Sequence, residues 1–159
     1  KDDLLLSGIP ARVVSKEEIW SALWGKVLYN CSLNPLGAIL EVPYGQLGEN
    51  EETRKIIRGI IEEIFLVCQA LKVPLPYKDA DDYYRFLLET QLPPTRDHRA
   101  SMLQDILAKR KTEIEALNGA ISRLAREKGI STPYNDLLTL LIKFKEKRVG
   151  QGSGDLELV

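Results

Sequence analysis

The spacing of the apolar residues constrains the fold of this chain more than any other feature. Along most of the chain they recur every three or four positions, which is the repeat of one face of an α-helix. The first such run contains Ile19, Trp20, Leu23, Trp24, Val27, Leu28 and Cys31. No stretch of useful length alternates apolar and polar residues as a half-buried strand does. The sequence therefore predicts an all-α fold, built as a helical bundle.

Capping residues and prolines predict the ends of the first helix. Ser15 and Glu18 form a capping box, in which the hydroxyl and the carboxylate satisfy backbone N–H groups at a helix start. Pro35 disfavours helical backbone at the residue before it. These signals predict a helix over residues 16–33, with a resumed helical segment over residues 36–40 as the alternative. Proline and glycine then predict a loop over residues 43–50.

The second predicted helix, over residues 52–71, is apolar around most of its circumference, so we expect it at the centre of the fold. Asp79 and Thr132 are in cap positions, and Thr112 to Glu115 form a second capping box, whose helix Gly129 closes. These signals predict further helices over residues 79–90, 101–109, 112–129 and 133–148, and a flexible tail over residues 150–159.

The charges nearly cancel, with 22 basic and 23 acidic residues among 159. Such a balance gives no field that attracts nucleic acid or an anionic membrane, so we expect neither partner and look to a small molecule or a protein. The apolar runs are interrupted by charge before the roughly 18 residues that a membrane span needs. With 44% hydrophobic residues, the chain is predicted to form one domain, over residues 1–149, around a single core. We expect the protein to be cytoplasmic.

Cysteine and histidine are scarce. Cys31 and Cys68 lie in apolar stretches, where a thiol usually packs as a small hydrophobic group, and this use fits a reducing compartment. His98 is the one histidine, and no paired Cys or His motif has the spacing of a zinc site. We therefore expect no structural metal.

A polar stripe crosses the first predicted helix. Lys26, Asn30 and Asn34 are four residues apart, which keeps them on one helix face. Ile19 and Leu23 fall among them on the helical wheel, so the stripe lies at the edge of the apolar face. Neither asparagine is at a helix start, where it would serve as a cap. We interpret the stripe as the floor of a ligand cleft. The alternatives are that it packs against loop backbone, or that Lys26 extends to reach water.

Three other polar residues have structural explanations on local grounds. Glu113 would lie in the first turn of a helix, where the helix dipole favours an acid. Ser101 is at a predicted helix start, where serine is a common cap. His98 lies in a predicted loop, where a solvated histidine is more usual than a catalytic base. From the residues alone, both interpretations stay open.

Three blocks of the sequence together resemble one family. The run from Leu23 to Leu36 contains Trp-x-Lys-(x)3-Asn-(x)3-Asn-Pro and resembles the ketopantoate reductase (2-dehydropantoate 2-reductase) motif that carries the catalytic lysine. Residues 101–106 with 112–119, and residues 129–135, resemble the second and third blocks of that family. The resemblance implies the family's C-terminal helical domain, a bundle similar to that of 6-phosphogluconate dehydrogenase-like enzymes.

The resemblance implies a role for each site residue. Lys26 would donate a proton to the ketone oxygen of ketopantoate while NADPH delivers hydride to the carbonyl carbon, giving pantoate for pantothenate and coenzyme A synthesis. Asn30, Asn34 and Ser101 would bind the substrate. Glu113 would contact the cofactor near its nicotinamide end.

Two positions depart from the family pattern. Tyr44 and His98 stand where related sequences often have asparagine, and we place both among the candidate substrate-binding residues. A pocket changed in this way would suit a different ligand. The substrate therefore stays open between ketopantoate and another 2-oxo acid.

The family has a dinucleotide-binding Rossmann domain before this region, and no GxGxxG fingerprint or ribose-binding acid occurs here. We therefore expect that domain to be absent from this chain, to be its main partner and to bind most of the NADPH. By itself the chain would be inactive. A homodimer is a further expected assembly. The alternative function is a helical interaction or dimerisation module derived from the family. The presence of all five site residues that match the family argues against this alternative.

Overall fold

The computed structural model describes residues 15–150, apart from the side chains of residues 16, 17, 149 and 150. Within that range the chain forms seven α-helices and no strand, which confirms the predicted all-α fold. The helices are α1 (Lys16–Leu40), α2 (Tyr44–Glu49), α3 (Glu51–Ala70), α4 (Ala80–Phe86), α5 (Ser101–Leu107), α6 (Asn118–Glu127) and α7 (Pro133–Gly150). A π-helical turn, Leu87–Gln91, continues α4, and a 3-10 turn, Pro93–Thr95, follows. The predicted tail beyond Gly150 lies outside the described residues.

Helix α3 lies at the centre of the bundle, as its apolar circumference predicted. It packs against α1, α2, α4, α6 and α7. Asn50 caps its first turn by accepting hydrogen bonds from the backbone N–H groups of Glu52 and Thr53. The side chains of Ile57, Ile60, Ile61, Ile64 and Val67 are closed to solvent. This packed centre fixes the direction of the helices around it, α1 included.

Helix α1 begins at the predicted capping box and runs without a break through Pro35, so the predicted end at residue 33 is wrong. A proline inside a helix removes the N–H that would bond the carbonyl four residues earlier, which here is that of Cys31. The Cys31 carbonyl instead accepts a hydrogen bond from Asn118 Nδ2 at 3.1 Å. This tertiary bond replaces the one that the proline removes, and the helix continues to Leu40.

Residues 44–49 form helix α2 where the sequence predicted a loop. Tyr44 and Leu47 are buried in the core. The N–H groups of Tyr44 and Gly45 donate to the carbonyls of His98 and Arg96 at 3.0 and 2.8 Å. A Cβ on Gly45 would lie 3.0 Å from that of Arg96, so this glycine permits a close approach of two segments. The loop prediction is wrong because carbonyls from a distant segment accept the backbone N–H groups at the start of this helix.

The predicted capping box from Thr112 to Glu115 does not form, and residues 113–117 are turns that precede α6. The Thr112 hydroxyl donates to Glu146 on α7 at 2.6 Å. Glu115 pairs with Lys143, also on α7. The Thr112 N–H, which the Glu115 carboxylate would accept in a capping box, donates instead to Glu146 at 2.7 Å, and the Thr112 oxygen accepts from the Ile114 N–H at 3.3 Å.

Other predicted signals are confirmed. Asp79 caps α4 by accepting from the backbone N–H of Asp82 at 2.8 Å. Gly129 follows α6 in left-handed backbone, with φ of 68°. Pro133 is the first residue of α7. None of the helices within residues 15–150 has the length and apolarity that a membrane span requires.

Candidate active site

A cleft runs along the polar side of α1. Its other walls are the start of α2, the segment that follows α3, the turns after α4, and the start of α5. Its volume is 1530 Å³, larger than the roughly 300–1,000 Å³ of an ordinary small-molecule pocket. The cleft therefore has room for more than a small substrate alone.

Four predicted site residues line this cleft, although they come from distant parts of the chain. Lys26 is on α1, Tyr44 on α2, His98 in the turn before α5, and Ser101 at the start of α5. Lys26, His98 and Ser101 are exposed, whereas Tyr44 is buried. The packing of α5 against α1 brings the lysine and the serine to one cavity.

The other three predicted residues do not line the cleft. Asn30 is half-buried, one turn after Lys26. Asn34 is 4% exposed, so its side chain lies inside the fold. Glu113 is exposed in the turns before α6 and outside the set of residues that line the cleft. The polar stripe thus divides into an exposed end at Lys26 and a buried end at Asn34.

Asn34 connects α1 to the start of α5. Its Oδ1 accepts a hydrogen bond from the backbone N–H of Met102 at 3.1 Å, and its Nδ2 donates to Ser101 Oγ at 3.1 Å. The residue at the cap position of α5 is Ala100, which offers no capping side chain. Asn34 therefore supplies the cap from another helix. Although Asn34 is not itself at a helix start, it serves as a cap for another helix, so the expectation that it has no capping role is wrong.

Tyr29, which was not among the predicted site residues, also lines the cleft. Its hydroxyl donates to Thr95 Oγ1 at 2.8 Å, and the Thr95 hydroxyl donates to the Gln91 carbonyl at 2.9 Å. Its ring meets that of Tyr44 edge to face, with centroids 6.0 Å apart. The spacing of three from Lys26 could have placed Tyr29 on the polar face.

Burial raises the pKa of Tyr44 to about 12, and the neighbouring Tyr29 contributes in the same direction. The Tyr44 phenol is therefore neutral at physiological pH. Tyr44 lines the cleft as an uncharged aromatic residue where the family pattern often has an amide.

The charged residues of the cleft balance, with Lys26 and Arg99 against Glu18 and Asp97. Recognition of an anion would then depend on hydrogen-bond donors at specific points more than on a net field. Within the described residues no three His, Cys, Asp or Glu side chains are grouped as a metal site requires.

These features define a class of protein: an all-helical domain with an open cleft of a size that can take small molecules. The family model of the ketopantoate reductase PanE/ApbA C terminal matches residues 18–146. The chain belongs to this family of reductases, as a C-terminal domain.

Curated relatives agree with this assignment. The 2-dehydropantoate 2-reductase of Aquifex aeolicus is 46% identical over 140 residues, which are 88% of this chain and 44% of the relative. That of Pyrococcus horikoshii is 31% identical over 153 residues, which are 96% of this chain and 48% of the relative. The chain thus spans less than half the length of these relatives.

Solved structures share the fold. A PanE/ApbA family ketopantoate reductase from Ralstonia eutropha matches with a TM-score of 0.73 and 33% identity, over 82% of this chain and 42% of that one. A D-mandelate dehydrogenase, solved with NADH and anilino(oxo)acetate, matches with a TM-score of 0.77 and 32% identity, over 94% and 47% of the two chains.

Proposed function

We propose that the chain is the substrate-binding half of an NADPH-dependent 2-dehydropantoate 2-reductase, which reduces ketopantoate to pantoate in cytoplasmic pantothenate biosynthesis. The observation that carries the proposal is the presence of Lys26 and Ser101 in one cleft, on helices α1 and α5. Family membership supports it, because the named relatives are 2-dehydropantoate 2-reductases.

Reduction of a ketone adds a hydride to the carbonyl carbon and a proton to its oxygen. Lys26 Nζ would donate that proton as negative charge develops on the oxygen, and solvent would restore the proton to the lysine. Ser101, Tyr44 and His98 line the cleft and would hold the acid in place. Asn30, one turn from Lys26 but outside the cleft lining, would have to turn toward the bound acid to contribute. Such a cleft needs donors more than acceptors, because a 2-oxo acid presents only oxygen acceptors around the reacting carbon.

NADPH would supply the hydride. The described residues do not fit the rest of this cofactor, because they include no strand and hence no strand-to-helix turn to hold a pyrophosphate. Glu113 could contact only the nicotinamide end. We therefore assign most of the nucleotide to a separate dinucleotide-binding domain, without which the chain would be inactive.

Another 2-oxo acid is the second candidate substrate. Tyr44 places a neutral phenol beside Tyr29, and a similar structure is that of a D-mandelate dehydrogenase. A helical interaction or dimerisation module is the remaining alternative, and the open cleft lined by Lys26 and Ser101 argues against it.

A substrate panel tests this proposal in the protein that carries the chain behind a dinucleotide-binding domain. NADPH oxidation would be followed with ketopantoate and with 2-oxo acids that have apolar or aromatic side chains, and with NADH in parallel. We expect the highest kcat/KM for ketopantoate with NADPH. A higher kcat/KM for another 2-oxo acid would change the proposed substrate but leave the proposed reductase activity standing. If none of these acids is reduced, the reductase proposal is rejected and the interaction module is favoured. Analytical sedimentation would then show whether the chain forms a homodimer.

A further inference from the structure

We propose that Asn34 is a positioning residue that turns the hydrogen of the Ser101 hydroxyl into the cleft, so that Ser101 acts as a donor to the bound acid. This inference rests on the proposed function for the identity of the ligand. It does not require Asn34 to touch the substrate, and the 4% exposure of that side chain leaves it little access to the cleft.

The orientation of the Asn34 amide is fixed by its backbone partner. The Met102 N–H lies 3.1 Å from Oδ1 and can only donate, so the oxygen must face it. The NH2 group is then the part that faces Ser101 Oγ, at 3.1 Å. A flipped amide would put two donors against each other inside the fold, which is costly.

The orientation of the Ser101 hydroxyl follows from that of the amide. Its oxygen accepts from Asn34 Nδ2, so its own hydrogen needs another partner. Asn34 Oδ1 is 3.5 Å away, beyond the roughly 2.5–3.0 Å of an O–H···O bond. Among the described residues the hydroxyl has no further hydrogen bond, and Ser101 is exposed in the cleft. The hydroxyl hydrogen is therefore available to an acceptor on a bound ligand, such as a carboxylate or ketone oxygen.

Asn34→Asp tests this relay because it keeps the shape of the side chain. One carboxylate oxygen can still accept from Met102, while the other now accepts the Ser101 hydrogen and turns it away from the cleft. We expect KM for the 2-oxo acid to rise roughly 10–100-fold, the range for losing a hydrogen bond to a charged group, with a smaller effect on kcat.

The new charge could also repel the acid directly, and a double-mutant cycle with Ser101→Ala separates the two effects. If Asn34 acts through Ser101, Asn34→Asp should raise KM less than about 3-fold once the hydroxyl is gone, because coupled residues are not additive. An equal rise in KM with and without the Ser101 hydroxyl would overturn the proposal. An Asn34→Asp variant that is less stable but has an unchanged KM would overturn it too.

Neutron diffraction of the unliganded protein gives a readout that is independent of turnover. The Ser101 hydroxyl hydrogen should point into the cleft in the wild type and toward residue 34 in Asn34→Asp. A wild-type hydrogen directed at Asn34 Oδ1 would overturn the relay. If the wild type reduces no 2-oxo acid, the proposed function fails, and the neutron result still decides the orientation.

Discussion

Lys26 is the residue on which the proposed chemistry depends most. In the protein that carries this chain behind a dinucleotide-binding domain, Lys26→Ala should lower kcat about 10²–10⁴-fold, the usual worth of general acid catalysis. NADPH binding should change little, because the lysine acts on the substrate side. Steady-state kinetics and a fluorescence titration of NADPH measure the two effects.

Lys55→Ala is the matched control for that change. Lys55 is an exposed lysine on α3 that pairs with Glu51 and does not line the cleft. Its loss should leave turnover near the wild-type value. Near wild-type turnover by Lys26→Ala as well would assign the proton donor to another group.

The two thiols illustrate a residue-scale prediction that the structure confirms: Cys31 and Cys68 are both buried and unpaired. Burial raises the pKa of Cys68 to about 12 and raises that of Cys31 well above its ordinary value. The reactive thiolate is therefore scarce at pH values near 8. We expect a disulfide reagent to label neither thiol rapidly in the native chain and both after denaturation. Rapid native labelling would show that the core around α1 and α3 opens.

Helical spacing could place Lys26, Asn30 and Asn34 on one face, but it could not distinguish their surroundings. Asn34 has a partner 67 positions away, at Ser101, and a pattern within one helix carries no information about such a contact. Tyr29 is outside the apolar repeat, three positions after Lys26, but the partner of its hydroxyl is Thr95, 66 positions away, so no local pattern marks it as a site residue.

At the scale of elements, α1 depends on a buried amide of α6. Asn118 is closed to solvent, and its Nδ2 donates both to the Cys31 carbonyl and to Asn135 Oδ1. Asn118→Ala should lower the free energy of unfolding by about 1–3 kcal/mol, because it leaves buried acceptors unpaired. Denaturant unfolding measures the loss.

Pro35→Ala provides the matched background. Alanine restores the N–H that can bond the Cys31 carbonyl within α1, so Asn118→Ala should cost roughly 1 kcal/mol less in that background. The bond to Asn135 is lost in both. Equal costs in the two backgrounds would show that Asn118 does not compensate for the proline.

The elements that could be predicted are those whose signals are local. The caps at Ser15 and Asp79 and the stop at Gly129 depend on neighbouring residues and were placed correctly. The elements predicted wrongly, residues 43–50 and the box at residues 112–115, have partners on distant segments. Local sequence propensity does not reveal that a carbonyl or a carboxylate of another segment will take the hydrogen bonds at these positions.

At the scale of the whole molecule, the apolar face of α1 extends beyond the core of this chain. Ile19, Trp20 and Leu23 are 48%, 47% and 51% exposed, beside Ser21 and Ala22, which line the cleft. The apolar periodicity predicts that this face of α1 is covered, but it does not identify the segment or partner that covers it. Under the proposed function, the dinucleotide-binding domain covers it and closes the cleft.

The all-α fold and the family could both be predicted, the fold from spacing and the family from three ordered motifs that the match over residues 18–146 confirms. The roles of the site residues stay predictions. The chain supplies the walls of the cleft at α1, α2 and α5, whereas a nucleotide site needs elements that the described residues lack.

The most direct measurement is of the 159-residue chain alone, assayed for NADPH-dependent reduction of ketopantoate beside the same chain joined to a dinucleotide-binding domain. Denaturant unfolding of the chain would accompany the assay to show that it is folded. We predict a cooperative unfolding transition and no turnover for the chain alone, and turnover for the joined protein. Turnover by the chain alone, or a joined protein that binds NADPH and reduces no 2-oxo acid, would contradict the account.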